Sequence, residues 1–303
     1  MESREIASHS VVVGVDGSPS SRLALRWAAA KAGCAGQPLH VIHALETEVV
    51  LRENEQLCTP EVAADDDAVL TSALELVATD APGVHAVAHS VTGFAVTTLT
   101  AASRLAGTLV AGSRGRGAIP AALLGSVSQQ LVLHSCCPVI VVRDSRALTP
   151  QQGAPVVVGV DGSEESAAAV GYAFAHASET GRPVIALHSW WWEPLEGVNV
   201  GEPWTGDWTQ ISTQEGALLA ESLAGWREKY PDVHVEERSV RGDPVVDLVE
   251  QSRGAALLVV GSRGRGGFAG LLLGSVSQRV LKRASCPVAV VRSEPPEEHH
   301  EEQ

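Results

Sequence analysis

Apolar residues recur along the chain in two alternating patterns. Short runs rich in valine, such as Val11–Val15 and Val139–Val142, are typical of strands covered on both faces. Between such runs, stretches such as Ser20–Lys31 place apolar residues three and four positions apart on one helical stripe, and Gly33 is expected to end that helix. Because strands alternate with helices, the pattern predicts an α/β fold with parallel sheets and helices on both faces.

The chain carries this pattern twice. VVVGVDGS stands at Val11–Ser18 and again at Val156–Ser163, and the block Ala111–Arg143 matches the block Val260–Arg292. A repeat of this length indicates a duplicated domain rather than a solenoid unit. The predicted organisation is a first domain at 1–144, a linker at 145–155, a second domain at 156–293 and an acidic disordered tail at 294–303.

Charge and cysteine content restrict the class of protein. The 303 residues carry a formal net charge of -14, which disfavours nucleic acid and anionic membranes as partners. The sequence contains neither an apolar run of membrane-spanning length nor a secretory signal, and five cysteines without framework spacing fit a reducing compartment, so we expect a cytoplasmic protein. Two residue pairs have two interpretations each. Cys136-Cys137 is either an apolar filler or a redox pair. His299-His300 belongs either to a solvated tail or to a metal site.

A glycine-rich loop near the end of each copy carries the candidate chemistry. Gly112 is followed after two residues by Gly115 and after nine more by Gly125-Ser126, and the second copy repeats this spacing from Gly261. Glycines let backbone amides approach an anion closely, and a helix beginning at the last glycine would favour a phosphate. Each loop also carries two arginines, Arg114 and Arg116 in the first copy and Arg263 and Arg265 in the second, and guanidinium groups suit phosphate oxygens.

Other interpretations of these residues stay open. Ser126 with Gln129, and Ser275 with Gln278, fit a capping box, so the loop could be only a connection to a well-capped helix. The loops lack the lysine of a Walker motif and the order of a dinucleotide fingerprint. The aspartates that end the first strand of each copy either face the ligand or merely form a turn (Asp16 and Asp161).

VVVGVDGS combined with G-x2-G-x9-G-[ST] resembles the universal stress protein family, in its ATP-binding branch. The resemblance covers nearly the whole chain and implies two tandem, doubly wound domains, each with a five-stranded parallel sheet and the adenine nucleotide alpha hydrolase-like fold. It also implies pairing through the last strands, Val139–Val142 and Val288–Val291, either within one chain or between the chains of a homodimer. The implied ligand is ATP, accompanied by Mg²⁺.

The same resemblance implies site residues by position. In the first copy the nucleoside and adenine would lie by Gly14, Asp16 and Val41, and the ribose and phosphates by Gly112, Ser113, Arg114, Gly115, Arg116, Gly117, Gly125, Ser126 and Val127. In the second copy the matching residues are Gly159, Asp161, Ala186, Gly261, Ser262, Arg263, Gly264, Arg265, Gly266, Gly274, Ser275 and Val276. No residue is assigned to catalysis or to direct metal binding.

Three functions are compatible with these residues. The first is a non-catalytic regulator in the stress response, whose ATP-bound form is recognised by an unknown protein partner. The second is a slow ATPase in which Asp16 or Asp161 orients water. The third is a chaperone-like interaction protein that uses the Trp-rich segment 190–208, which forms either a partner surface or a local core.

Overall fold

The computed structural model describes most of the chain. The described residues are 6, 9–45, 67–115, 124–143, 151, 153–191, 208–266 and 272–293. Most of the expected linker, the expected tail and the centre of the Trp-rich segment lie outside these ranges.

Each copy folds as five strands and four helices within the described residues. The first copy contains β1 (Val11–Gly14), α1 (Pro19–Ala35), β2 (Leu39–Leu45), α2 (Ala68–Asp80), β3 (Ala86–Thr92), α3 (Ala95–Ala102), β4 (Thr108–Gly112), α4 (Ser126–His134) and β5 (Val139–Val142). The second contains β6 (Val156–Gly159), α5 (Glu164–Thr180), β7 (Val184–Trp190), α6 (Trp208–Lys229), β8 (Val235–Arg241), α7 (Pro244–Ser252), β9 (Leu257–Gly261), α8 (Ser275–Arg283) and β10 (Val288–Val291).

All ten strands join one sheet. Their order is β3-β2-β1-β4-β5-β10-β9-β6-β7-β8, and every pair is parallel except β5 with β10. Because β1 lies between β2 and β4, the strand order reverses at β1, and β6 occupies the same place in the second copy. In open parallel sheets, ligands bind beyond the carboxyl ends of the strands at such a reversal.

Helices cover both faces of the sheet, as the unbroken apolar runs predict. Alternate residues of β1 enter opposite cores: Val11 and Val13 pack with α1 and α2, whereas Val12 packs with α3 and α4. Each of the two cores continues from the first copy into the second without interruption. The chain is therefore a doubly wound α/β protein with two tandem domains that share their cores.

The two domains meet along the antiparallel β5–β10 pair. Arg143, after β5, donates a hydrogen bond to the Leu281 carbonyl of α8 at 2.6 Å, and Arg292, after β10, donates to the Val132 carbonyl of α4 at 3.0 Å. The last strands thus pair within one chain, which is one of the two expected arrangements. A homodimer of chains stays a prediction.

The expected end of the first helix is wrong by three residues. α1 continues through Gly33 to Ala35, and its C-cap Gly36 adopts a left-handed conformation with φ of 62°. A β-carbon on Gly33 would lie 3.3 Å from the Val84 side chain, so Gly33 is a close-packing position rather than a helix end. Among the described residues, the helices are too short or too polar to span a membrane.

Candidate functional site

A cavity of about 660 Å³ opens at the carboxyl ends of β1 and β4 in the first domain. Residues of the glycine loop and of the start of α4 form one part of its lining, and residues of β2 and α3 form another. Since β2 and β4 lie on opposite sides of β1, the cavity extends across the point where the strand order reverses. The lining includes Gly14, Asp16, Gly112, Arg114, Gly115, Gly125, Ser126 and Val127 from the expected set.

At three glycines in this lining, an added β-carbon would come closer than 3.0 Å to a neighbouring atom. A β-carbon on Gly112 would lie 2.7 Å from the backbone carbon of Ser20, and one on Gly14 would lie 2.6 Å from Cδ1 of Leu99. At Gly115 it would lie 2.8 Å from Oδ2 of Asp16. The glycines therefore bring the backbone close to the cavity and to the Asp16 carboxylate.

The glycine loop is fixed to the sheet at both ends. The Ser113 amide donates to the Val142 carbonyl at 2.8 Å, and the Gly125 amide donates to the Ser113 carbonyl at 2.7 Å. Ser128, in the first turn of α4, donates its hydroxyl to the Gly112 carbonyl at 2.6 Å. These bonds hold the start of α4 against the end of β4, so the fold sets the position of this part of the cavity lining.

The capping-box interpretation of this helix start is wrong. Gly125 is the N-cap of α4 and Gly274 is that of α8, and neither cap has a side-chain hydrogen bond. Ser126 and Ser275 are instead the first residues of their helices. By contrast, α1 and α2 are capped by the side chains of Ser18 and Asp67. The amides at the start of α4 are thus left without a capping side chain, as an anion-binding helix terminus requires.

Asp16 lies where both interpretations of it, as a turn residue and as a site residue, would put it. Its Oδ1 accepts the Ser18 amide at 2.9 Å, which forms the turn into α1, and the residue also lines the cavity. Asp161 accepts the Ser163 amide at 3.0 Å in the same way, and its Oδ2 accepts the Arg265 amide of the second loop at 3.0 Å. Forming the turn and facing the site are therefore compatible.

His43 is a cavity residue that the sequence analysis missed. Its Nδ1 lies 2.7 Å from Oδ2 of Asp67, which also accepts the Ser90 hydroxyl at 3.2 Å. Burial alone would raise the pKa of Asp67, but hydrogen bonds from His43 and the amides of Leu70 and Val69 hold it below its usual value. The recurrence of histidine at the same place in β2 and β7, as His43 and His188, was an available signal.

Some expected site residues lie elsewhere. Val41 is fully buried in the core, on the opposite face of β2 from Ile42, and the cavity is lined instead by residues 42–45. Ala186 is likewise buried in the core. Ser113 is buried and acts through its backbone hydrogen bonds. Arg116 and Gly117 lie outside the described residues.

The second domain repeats the scaffold of the first. The Ser262 amide donates to Val291 at 2.7 Å, the Gly274 amide donates to the Ser262 carbonyl at 2.7 Å, and Ser277 donates to the Gly261 carbonyl at 2.6 Å. Gly159 ends β6, Gly266 is exposed, and Ser275 with Val276 begins α8. A β-carbon on Gly264 would meet the Asp161 carboxylate, as one on Gly115 would meet Asp16. One charge differs: Arg263 forms an ion pair with Glu165, whose place in the first domain is taken by Ser20.

Comparison with known proteins shows a family match for each domain. A model of the universal stress protein family matches residues 8–143 and, separately, residues 154–292. The chain belongs to the universal stress protein family. It contains two universal stress protein domains in tandem.

Relatives of similar length match nearly the whole chain. A universal stress protein of Mycobacterium tuberculosis strain H37Rv is 40% identical over 299 residues, covering 94% of this chain and 97% of the relative. Another from the same strain is 41% identical over 294 residues with the same coverage. The crystal structure of a universal stress protein from Archaeoglobus fulgidus DSM 4304 matches with a TM-score of 0.65 at 20% identity, covering 95% of this chain and 97% of that one, which shows a common fold.

Two side questions about this universal stress protein concern thiols and metals. Cys136 is exposed and Cys137 is buried, and burial, followed by the charge of Cys136, raises the pKa of Cys137 to about 12. A thiol that stays protonated is a poor nucleophile, which favours the filler interpretation for Cys137. Cys136 is exposed and does not fill a core. The described residues contain no cluster of three or more histidine, cysteine or acidic side chains that could hold a metal ion. His299 and His300 lie outside them.

Proposed function

We propose that this universal stress protein binds ATP in the cavity of its first domain and in the equivalent place in its second, and acts as a non-catalytic regulator. The observation that carries the proposal is the cavity at the strand-order reversal, where glycine backbone and an uncapped helix start face the same space. Its volume of about 660 Å³ is within the range of small-molecule sites.

The lining suits the two ends of a nucleotide. Apolar side chains from β2 and α3, including Ile42, Leu45 and Leu99, offer a surface for a flat base. Across β1, the loop offers amide hydrogens and the exposed Arg114 to the phosphates. Asp16 stands between these regions at the end of β1, where a carboxylate accepts hydrogen bonds from ribose hydroxyls. A magnesium ion would enter with the phosphates, since it keeps several waters and binds phosphate oxygens.

Slow hydrolysis is the second candidate. His43 is held by Asp67 at 2.7 Å and lines the cavity together with Asp16, so two groups could orient a water molecule. Turnover above roughly 1 per second, independent of any partner, would favour an enzyme. The regulatory proposal expects turnover far below this value and a partner that distinguishes the ATP-bound form from the free form.

A substitution in the loop tests the site directly. Gly115→Val places side-chain atoms against Oδ2 of Asp16 and into the cavity, so we expect titration calorimetry with ATP and Mg²⁺ to show at least about tenfold weaker binding to the first domain. Gly83→Val is the matched control, because a β-carbon at Gly83 has no atom within 4 Å. Unchanged ATP binding in Gly115→Val would refute this placement of the site.

A further inference from the structure

The two universal stress protein domains differ in one charged contact beside their glycine loops. In the second domain, Oε1 of Glu165 lies 2.7 Å from Nε of Arg263 and forms an ion pair with the same guanidinium group. In the first domain, Ser20 stands in place of Glu165, and its hydroxyl accepts the Arg114 amide at 3.3 Å. The first loop therefore faces an uncharged side chain, whereas the second faces a carboxylate.

Glu165 is well placed to compete with a phosphate. Its side chain is only 12% exposed, and a β-carbon on Gly261, the first glycine of the second loop, would lie 2.9 Å from its backbone carbon. Residues 263 and 274 are also adjacent, since a β-carbon on Gly274 would lie 3.2 Å from Cα of Arg263. Glu165 thus lies beside the end of β9, and its carboxylate engages the loop arginine whose counterpart in the first domain, Arg114, lines the cavity.

Glu165 also counters the positive charge that Arg263 brings to Arg292. Burial, and then the positive charge of Arg263, lowers the pKa of Arg292, while the negative charge of Glu165 opposes that effect. Arg292 itself donates to the Val132 and Leu133 carbonyls of the first domain, so its guanidinium is engaged in the domain junction. Glu165 is therefore the carboxylate that balances the loop arginine of the second domain, in the way an incoming phosphate would.

We infer that Glu165 is a built-in competitor for phosphate, so that nucleotide fills the first domain first and enters the second only by displacing the Glu165 carboxylate from Arg263. The inference rests on the proposed function and adds an order of filling to it. A carboxylate close to bound phosphates repels them, and its ion pair withdraws the arginine that would bind them. The second domain should consequently bind ATP at least about tenfold more weakly than the first.

The test isolates the second domain in the full chain. Gly115→Val weakens the first site, and in that background we compare Glu165→Ser, which reproduces Ser20, with Glu164→Ser. Glu164 is the matched control, because it is exposed and precedes Glu165 in the first turn of α5. Calorimetry with ATP and Mg²⁺ should show at least about tenfold tighter binding with Glu165→Ser and no change with Glu164→Ser. The converse change, Ser20→Glu in the otherwise unaltered chain, should weaken the first site by a similar factor.

The outcomes separate the two ideas. Two sites of equal affinity in the unaltered chain, or an unchanged second site in Glu165→Ser, would overturn the order of filling while leaving nucleotide binding intact. An equal gain in Glu164→Ser would overturn it as well, because general charge removal would then explain the effect. A chain that binds no ATP in any of these variants would refute the proposed function itself.

Discussion

His176 makes the junction between the two domains sensitive to acid. The side chain lies on α5 and is 6% exposed, with its ring stacked 5.8 Å from Trp27 of α1 and 6.3 Å from Tyr172. Its Nδ1 has no hydrogen-bond partner in the part of the chain that the structure describes. Burial, reinforced by the positive charges of Lys31 and Arg182, lowers the pKa of His176 from 6.5 to about 3.

The effect on stability follows from the difference between the folded and unfolded pKa. The folded protein keeps His176 neutral, whereas the unfolded chain takes up a proton below pH 6.5, so stability is lost as the pH falls from 6.5 towards 3. Each pH unit in this window changes the free energy of unfolding by about 1.4 kcal/mol. Acidification from about pH 7 to about pH 4.5 should therefore remove between about 2 and 3 kcal/mol through this residue.

Replacing His176 with phenylalanine removes the titrating group and keeps a ring for the stack. Denaturant unfolding at both pH values should show that His176→Phe loses about 2 to 3 kcal/mol less stability on acidification than the unaltered protein. The same substitution at the exposed His85 should keep the full pH dependence, because that side chain is solvated in both states. An unaltered pH dependence in His176→Phe would refute the reasoning.

Two further predictions concern the scaffold of the site. Asp67→Asn should lower the free energy of unfolding by about 1 to 3 kcal/mol near neutral pH, because the contact with His43 is weakened. A carboxylate whose pKa is lowered by folding stabilises the protein above its unfolded-state pKa, and this stabilisation is lost as the pH falls through the folded-state pKa. Denaturant unfolding should therefore show that the difference in stability between Asp67→Asn and the unaltered protein disappears below about pH 4. Gly112→Ala should cost about 1 to 3 kcal/mol, since the new methyl group meets the Ser20 backbone at 2.7 Å. Thermal unfolding measures this cost against Gly83→Ala, and equal melting temperatures would contradict it.

The element pattern could be predicted from the sequence because its signals are local. The strand expected at 11–15 is observed at Val11–Gly14, and the strand expected at 139–142 has those bounds. The prediction that Gly33 ends the first helix was wrong, because a glycine that packs closely and a glycine that adopts a positive φ look alike in sequence. Only the fold shows that Gly33 lies against Val84 while Gly36 has the left-handed conformation.

The glycine loop was predictable for the same reason, because its glycines are close together in sequence, within one loop and the start of one helix. The side chains that modify it were not. His43 meets Asp67 across 24 residues, and Glu165 meets Arg263 across 98. Both contacts exist only because the fold brings helix starts next to distant strand ends. The absence of a side-chain cap on α4 was equally hidden, because Ser126 fits a capping motif in sequence and takes the first helical position in the structure.

Nucleotide counting tests the central claim most directly. The purified chain is saturated with ATP and Mg²⁺, freed of unbound ligand and denatured, and the released nucleotide is identified and counted by chromatography and mass. We expect about one tightly held adenine nucleotide per chain, with a second retained only at ATP concentrations at least about tenfold higher. Release of no adenine nucleotide, even after incubation at about 1 mM ATP, would contradict the account.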